Sequence, residues 1–133
     1  MIYLDSSAIM KLVREKDETP GLIAWLQRSP EAGVLTSELG CMEALRAARR
    51  AVDRALTEAQ VVVADLHLIP LGRGVRDIAC DIGDPSLRTL DALHLASAVL
   101  VRGAPTAFVA SDHRLVSAAQ SAGLPTVTPG RDR

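Results

Sequence analysis

Short apolar runs alternate along the chain with longer segments in which apolar residues recur at helical spacing. The first run, residues 2–4, combines β-branched, aromatic and aliphatic side chains and therefore suits a buried strand. Asp5 ends this run, and Ser6 and Ser7 are good N-cap residues for a helix that continues to residue 13. The pattern thus places a carboxylate where a strand passes into a helix.

The same alternation continues to residue 127. Further strands are expected at 34–36, 68–71, 107–110 and 125–127, and further helices at 20–26, 38–51, 53–65, 75–82, 90–101 and 112–121. Strands that alternate with helices favour a mostly parallel sheet with helices on both faces. We therefore predict an α/β fold, an α/β/α sandwich formed by one domain over residues 1–133, with a frayed tail at 129–133.

Turn and cap residues set the expected element boundaries. Polar, proline- or glycine-containing segments at 14–18, 29–33 and 103–105 are expected to separate elements, and Pro70 favours an edge position for its strand. Residues whose short side chains accept hydrogen bonds are expected to cap helices, namely Thr19, Ser37, Thr57 and Thr89. The helix at 53–65 is expected to turn an apolar side inward that carries Val61, Val62, Ala64 and Leu66.

Composition limits both the core and the possible partners. Apolar residues make up 48% of the 133 residues and aromatic residues only 2%, so the core must be built from Leu, Val, Ala and Ile. The net charge is −1, which excludes the overall basic field that drives non-specific binding to nucleic acid. A polyanionic substrate would therefore need a local basic patch or a bound cation.

The cysteines and the N-terminus indicate a cytoplasmic protein. Cys41 and Cys80 lie in apolar helical contexts without CxxC spacing, which predicts buried free thiols in a reducing compartment. No apolar run reaches the ~18 residues of a membrane span. The first residues lack the basic segment and cleavage site of a signal peptide.

Four carboxylates occupy corresponding places in the predicted elements. Asp5 ends the first strand, Glu43 lies two turns inside the helix after the second strand, Asp91 is in the first turn of an apolar helix, and Asp112 follows the strand at 107–110. An acidic residue at a helix N-terminus has an ordinary explanation in the helix dipole, worth ~0.3–1 kcal/mol, which covers Asp91 and Asp112 singly. Together, however, all four are expected at one edge of a parallel sheet.

Such a cluster has a definite chemical consequence. Two carboxylates ~5 Å apart repel by about 3 kcal/mol at an effective dielectric of ~20. A pocket with four of them either stays partly protonated or takes up divalent cations. Oxygen ligands without Cys or His favour Mg²⁺ or Mn²⁺ over Zn²⁺, and such a site suits phosphodiester hydrolysis by a metal-activated water.

Each of the four acids lies within a short motif. These motifs are residues 3–8 (YLDSSA), 36–46 (TSELGCMEALR), 88–96 (RTLDALHLA) and 110–115 (ASDHRL). In this order and spacing they resemble the PIN-domain ribonucleases, and most of all the VapC toxins of bacterial toxin–antitoxin operons. The resemblance covers nearly the whole chain.

The resemblance implies a Mg²⁺- or Mn²⁺-dependent endoribonuclease that forms a homodimer and is inhibited by a cognate antitoxin. It implies that Asp5, Glu43, Asp91 and Asp112 form the active centre. Asp5 and Asp91 correspond to the usual direct metal ligands, and Glu43 and Asp112 to residues that bind through water or hold a second ion. Many relatives carry another acidic residue shortly after the fourth position, where this chain has His113 and Arg114.

Neighbouring residues leave alternatives open. Glu38 competes with Glu43, but it lies beside the Ser37 cap and is expected to serve the helix terminus. Ser7 is a candidate to hold a water or substrate, and plain N-capping explains it equally well. His94 follows Asp91 by three residues, but its Leu neighbours favour a buried, hydrogen-bonded histidine.

Basic residues after Glu43 are candidates for RNA contact. Arg46 and Arg50 share a helix face on roughly the same side as Glu43, where they either contact phosphate or form a solvated face. With Tyr3, Trp25 and Phe108 as the only aromatics, stacking on bases cannot dominate recognition. Trp25 is expected to pack in the core, with an antitoxin-binding groove as the alternative.

Other function classes fit less well. A phosphoacceptor signalling domain needs paired acids after the first strand and a late lysine, but Asp5 stands alone and no lysine follows Lys16. A haloacid-dehalogenase-type phosphatase needs Asp-x-Asp, which residues 5–7 do not provide. A non-catalytic module of PIN-like or receiver-like fold that acts by protein binding stays the main alternative.

Overall fold

The computed structural model describes residues 1–14, 19–28, 32–51, 54–101 and 107–128. Within these ranges the strands are β1 (Ile2–Leu4), β2 (Val34–Ser37), β3 (His67–Ile69), β4 (Ala107–Val109) and β5 (Thr126–Val127). The helices are α1 (Ser6–Val13), α2 (Thr19–Gln27), α3 (Glu38–Arg50), α4 (Ala55–Ala64), α5 (Arg73–Asp81), α6 (Thr89–Leu100) and α7 (His113–Ser121).

The strands form one parallel sheet in the order β3-β2-β1-β4-β5. β1 is central, with Tyr3 beside Leu35 of β2 on one side and beside Phe108 of β4 on the other. β3 lies at an edge, as Pro70 just beyond it led us to expect. The predicted parallel α/β sheet is confirmed.

Alternate residues of β1 face opposite layers because side chains in a strand point to opposite faces of the sheet. Tyr3 packs with Leu95 of α6 and Leu115 of α7 in one buried cluster. Ile2 and Leu4 belong to a second cluster, which includes residues of α1, α2, α3 and α4. Helices therefore cover both faces, which confirms the predicted sandwich.

Several predicted caps are wrong. Asp5, and not Ser6 or Ser7, caps α1, because its extended backbone precedes the helix and its carboxylate accepts from the Ala8 amide. Thr57 lies inside α4, and Thr89 is the first residue of α6, so neither is in the non-helical cap position. By contrast, Ser37 caps α3 with its side chain as predicted, and Asp112, expected at the start of a helix, caps α7.

The buried side of α4 also differs from the prediction. Val61 is 63% exposed and Ala64 is exposed, whereas Ala55 and Ala59 are buried. α4 packs closely on α1 and α3, and two alanines one turn apart permit that approach. Val62 and Leu66 pack at the margin of the buried cluster, as expected.

The expectation of two buried thiols is wrong. Cys41 is half-buried and Cys80 is exposed, both as free cysteines. In α5 the inward stripe consists of Val75, Ile78 and Ala79, which leaves Cys80 on the outer side. Trp25 is half-buried and packs against the cluster that contains Leu4, in agreement with the core prediction.

Some expectations fall outside the described ranges. The turn at 14–18, the loops at 29–33 and 103–105, the first residues of the helix expected at 53–65 and the tail at 129–133 lie wholly or partly there. Among the helices that the structure describes, none combines the length and apolar character needed to cross a membrane.

Candidate active site

The sheet topology brings the candidate carboxylates to one edge. Asp5 follows β1, and Asp112 follows the neighbouring strand β4, where the Asp5 amide donates to the Val109 carbonyl over 3.1 Å. Glu43 lies in the second turn of α3, which leaves the same edge after β2. Asp91 lies in the first turn of α6. Because the carboxyl ends of parallel strands border the crevice of an open α/β sheet, this edge is where a ligand site is expected.

Asp5 is a buried carboxylate with only 5% of its surface exposed. Its Oδ1 accepts from the Ala8 amide at 2.9 Å and from Ser7 Oγ at 2.7 Å. Burial raises the pKa of Asp5, and the negative charge of Glu43 acts in the same direction, while the two hydrogen bonds oppose it. The carboxylate is therefore held in one position but is costly to ionise.

Glu43 is held by a histidine of α6. Its Oε1 lies 2.6 Å from Nε2 of the buried His94. Partial burial raises the pKa of Glu43, but the hydrogen bond and charge of His94, with a hydrogen bond from Ser6, outweigh burial and lower it. Of Asp5 and Glu43, Glu43 is therefore the carboxylate that ionises readily.

Asp91 and Asp112 both face the Arg88 guanidinium. Arg88 Nε lies 3.5 Å from Asp91 Oδ2, and Arg88 Nη2 lies 3.8 Å from Asp112 Oδ2. Asp112 Oδ1 accepts from the amides of Arg114 and Leu115 and so caps α7. Asp91 Oδ2 is buried yet finds no hydrogen-bond partner within the described part of the chain, since the contact with Arg88 lacks hydrogen-bond geometry.

The four acids thus lie in two groups along one edge. Asp5 and Glu43 form one, in which only Glu43 contacts His94, and Asp91 and Asp112 form the other, in which both face Arg88. No three His, Cys, Asp or Glu side chains of the described ranges lie close enough together to hold a metal ion. The donor set nevertheless fits a hard divalent cation, because it consists of carboxylate oxygens and includes the unsatisfied, buried Asp91 Oδ2. A buried carboxylate oxygen without a hydrogen-bond partner is a group that a bound ion or water would satisfy.

The other candidates have distinct positions. Ser7 Oγ donates to Asp5 and accepts from the Ser111 amide at 3.3 Å, so this hydroxyl links the segments that follow β1 and β4. Arg46 and Arg50 are exposed on α3, three and seven residues after Glu43 and hence on its side of the helix.

Glu38 serves a different part of the molecule. It is exposed, and its Oε1 accepts from the Leu71 amide at 2.7 Å. This contact ties the start of α3 to the segment after β3. Glu38 lies in the first turn of α3, where an acidic residue suits the helix terminus, but its observed hydrogen bond is with the segment after β3.

A cavity of about 710 Å³ opens beside Asp91. Its lining includes Arg88, His113 and Arg114, together with serine hydroxyls from the loop before α6 and from α7. Basic side chains and hydroxyls are suitable contacts for a phosphate backbone. The cavity therefore provides space for a polyanion next to the acidic edge.

Sequence reasoning predicted a buried, hydrogen-bonded His94 correctly but missed the partners of its ring. Nδ1 lies 2.8 Å from the Tyr3 hydroxyl, and that hydroxyl donates to Ser37 Oγ over 3.0 Å. No motif in the sequence signals the contact between Tyr3 and His94, which are 91 positions apart. Nothing in the spacing of His94 predicted contact with Glu43, because that contact depends on the packing of α6 against α3.

A family comparison supports the fold. Residues 2–121 match the family model of the PIN domain. Solved structures with low identity share the same fold: FitAB bound to an IR36 DNA fragment (16% identity, TM-score 0.76, covering 100% of this chain and 98% of that chain) is one. VapC20 of Mycobacterium tuberculosis, described as a sarcin–ricin loop cleaving toxin, is another (19%, TM-score 0.73, 97% and 100% covered).

Curated relatives from Mycobacterium tuberculosis are closer in sequence. Ribonuclease VapC47 is 40% identical over 136 residues, and ribonuclease VapC35 is 38% identical over 135 residues, each with full coverage of both chains. Ribonuclease VapC46 is 35% identical over 133 residues, covering 96% of this chain and 97% of that protein. With a PIN-domain match over residues 2–121 and such relatives along its whole length, this chain belongs to the PIN-domain family and, within it, to the VapC ribonucleases.

Proposed function

We propose that this protein is the toxic endoribonuclease of a toxin–antitoxin pair and that it requires Mg²⁺ or Mn²⁺. The observation that carries the proposal is the 35–40% identity, along the full chain, to proteins named ribonuclease VapC. The acidic edge of the sheet supplies a chemical basis, since it combines four carboxylates with a neighbouring cavity.

We assign Asp5 and Asp91 as direct ligands of the divalent ion. Glu43 and Asp112 are assigned to bind through water or to hold a second ion. A bound divalent ion supplies Lewis acidity and positive charge at the scissile phosphate, so that water can displace the 3′ oxygen and leave 5′-phosphate and 3′-hydroxyl ends. The buried, unsatisfied Oδ2 of Asp91 and the costly ionisation of Asp5 both support this assignment, because a cation offsets each.

The remaining side chains have roles in holding and orienting RNA. Ser7 fixes the Asp5 carboxylate through its 2.7 Å hydrogen bond. Glu43, which ionises readily, can accept a hydrogen bond from water near the phosphate. Arg46 and Arg50 form an exposed basic stretch on the Glu43 side of α3, where they offset the missing basic charge of the chain by contacting phosphates.

The proposed partners are an antitoxin and a second copy of the chain. Two solved structures of similar fold are described as FitAB bound to DNA and as a toxin–antitoxin complex from Klebsiella pneumoniae. We propose a cognate antitoxin that covers the acidic edge with a basic side chain, and the position of Arg88 between Asp91 and Asp112 supports the fit of a guanidinium there. We further propose a homodimer that acts on RNA in the cytoplasm.

The test is RNA cleavage by the purified protein in Mg²⁺ and in EDTA. Asp91→Asn keeps the size of the side chain but removes its charge, and we expect it to abolish cleavage. Asp77→Asn is the matched control, because Asp77 is an exposed residue of α5 whose partner is Arg73. Cleavage by Asp91→Asn at the wild-type rate, or wild-type cleavage in EDTA, would contradict the mechanism. A folded wild type without cleavage would favour the non-catalytic binding module.

A further inference from the structure

A buried chain of hydrogen bonds leads from the end of β2 to the Glu43 carboxylate. The Gly40 amide donates to Ser37 Oγ at 3.1 Å, and the Tyr3 hydroxyl donates to the same oxygen at 3.0 Å. His94 Nδ1 lies 2.8 Å from the Tyr3 oxygen, and Nε2 lies 2.6 Å from Glu43 Oε1. Tyr3, Ser37 and His94 are all almost fully buried, so water does not compete for these contacts.

We propose that His94, held by Tyr3, is a positioning residue that fixes the Glu43 carboxylate at the acidic edge through its Nε2–H donor. The inference rests on the proposed function only in that Glu43 is assigned to the nuclease centre. The hydrogen-bond chain itself is a property of the folded protein, and it can be tested without RNA.

The direction of the last hydrogen bond follows from the chemistry of its partners. An ionised carboxylate only accepts hydrogen bonds, so the 2.6 Å contact needs a proton on Nε2. The Tyr3 hydroxyl gives its one proton to Ser37 Oγ, so Nδ1 must carry a proton of its own to donate to the Tyr3 oxygen. Were the hydroxyl turned to Nδ1 instead, that nitrogen would accept, and Nε2 would still be the nitrogen that donates to Glu43.

Packing holds the His94 ring in this orientation. The ring of Tyr3 meets it edge-on, with centroids 6.0 Å apart and planes at 75°. Tyr3 in turn stacks on Phe108 of β4, with centroids 5.3 Å apart and planes at 5°. The partner of Glu43 is thus anchored in the adjacent strands β1 and β4, whereas Glu43 itself is 29% exposed.

Two substitutions of His94 separate its two ring nitrogens. The amide of Gln reaches the position of Nε2, so His94→Gln retains a donor to Glu43 and removes the hydrogen bond with Tyr3. The amide of Asn lies near Nδ1, so His94→Asn retains the hydrogen bond with Tyr3 and removes the donor to Glu43. If His94 only filled space in the core, both substitutions would change the metal affinity and the activity to a similar extent.

The first measurement is Mn²⁺ affinity of the RNA-free protein by calorimetry. Removal of a residue that orients a metal-site carboxylate typically costs about 10- to 100-fold in metal affinity or activity. We expect a loss of this order in His94→Asn and a smaller one in His94→Gln, with kcat for RNA following the same order and KM little changed. Equal affinities and equal kcat values in two folded variants would overturn the inference.

A second measurement does not require that the His94 variants fold. In ¹⁵N-edited spectra of the wild type, we expect a protected Nε2–H signal from His94 that shifts in Glu43→Gln and remains in Tyr3→Phe. A missing signal, or one insensitive to Glu43→Gln, would overturn the inference. If the signal is present and Mn²⁺ binds but RNA is not cleaved, the proposed nuclease function fails and the positioning role of His94 stands.

Discussion

Glu43 Oε1 lies 2.6 Å from His94 Nε2, although the two residues are 51 positions apart in the chain. The contact exists because α6 crosses close to α3 behind the end of β2. It makes the site asymmetric: Glu43 is hydrogen-bonded to a buried aromatic network, whereas Asp91 and Asp112 face the exposed Arg88. The two groups of acids should therefore respond differently to substitution, to pH and to metal.

We expect Asp5→Asn to stabilise the metal-free protein at neutral pH. The folded-state pKa of Asp5 is raised, so its contribution to stability is present at low pH and is lost as pH rises through that pKa. Asn keeps an oxygen for the Ala8 amide but carries no charge. In EDTA at pH 7.5, denaturant unfolding should show a higher free energy of unfolding for Asp5→Asn than for the wild type.

This gain should shrink as the pH falls, because the wild-type carboxyl then becomes protonated too. Asp77→Asn, an exposed change, is the control and should show no such pH dependence. If Asp5→Asn is less stable than the wild type, by the same amount at pH 7.5 and at low pH, then ionisation of Asp5 does not destabilise the fold and the prediction is contradicted.

Replacing Arg88 by Ala is expected to tighten Mn²⁺ binding. The guanidinium faces both Asp91 and Asp112 and so competes with a cation for these carboxylates. Calorimetry should show a several-fold gain in affinity, because one positive charge leaves the site. Arg73→Ala, which breaks an exposed pair on α5, should leave the affinity unchanged. Weaker Mn²⁺ binding in Arg88→Ala would indicate that Arg88 supports the acids and does not compete for them.

Gly40→Ala should destabilise the fold and disturb the site together. A Cβ at Gly40 would overlap the Thr36 hydroxyl and lie 3.4 Å from Cε1 of His94. Overpacking of this kind typically costs about 1–3 kcal/mol. Gly72→Ala is the matched control, because a Cβ there meets nothing within 4 Å. Chemical denaturation of both variants should separate them, and equal stability would contradict the close approach of Gly40 to Thr36 of β2.

Charge removal in Arg46→Gln/Arg50→Gln is expected to weaken RNA binding. If both side chains bind phosphates of single-stranded RNA, the slope of log K against log salt should fall by about 0.7 for each phosphate that is no longer neutralised. The KM should rise while kcat stays near the wild-type value. The double variant Arg73→Gln/Arg76→Gln on α5 tests whether any pair of arginines has this effect. Equal slopes in the two double variants would place Arg46 and Arg50 on a merely solvated face.

The elements were predictable because their signals are local. These signals act within a few residues: the apolar runs, the caps Ser37 and Asp112, and Gly123 after α7, which adopts a φ of +86°. Features that depend on contacts between distant segments were harder to predict from the sequence. The exposure of Val61 depends on which side of α4 meets α1 and α3, and that is not fixed by its apolar sequence.

The site shows the same division. Placement of the carboxylates at one sheet edge was expected from the alternation of strands and helices, since Asp5 and Asp112 follow strands, Asp91 lies in a first helical turn and Glu43 lies one turn further into its helix. Their partners did not follow: Arg88 between Asp91 and Asp112, and His94 beside Glu43, are side-chain contacts between distant segments. Such contacts depend on helix packing angles, which no motif encodes.

The central claim is that acids from separate segments act together on a divalent ion at this edge of the sheet. The most direct measurement is the single-turnover rate of RNA cleavage as Mn²⁺ is titrated into the wild type, Asp5→Asn and Asp91→Asn. We expect a saturable rise in the wild type and no rise in either variant. A rise in both variants that matches the wild type would contradict the claim.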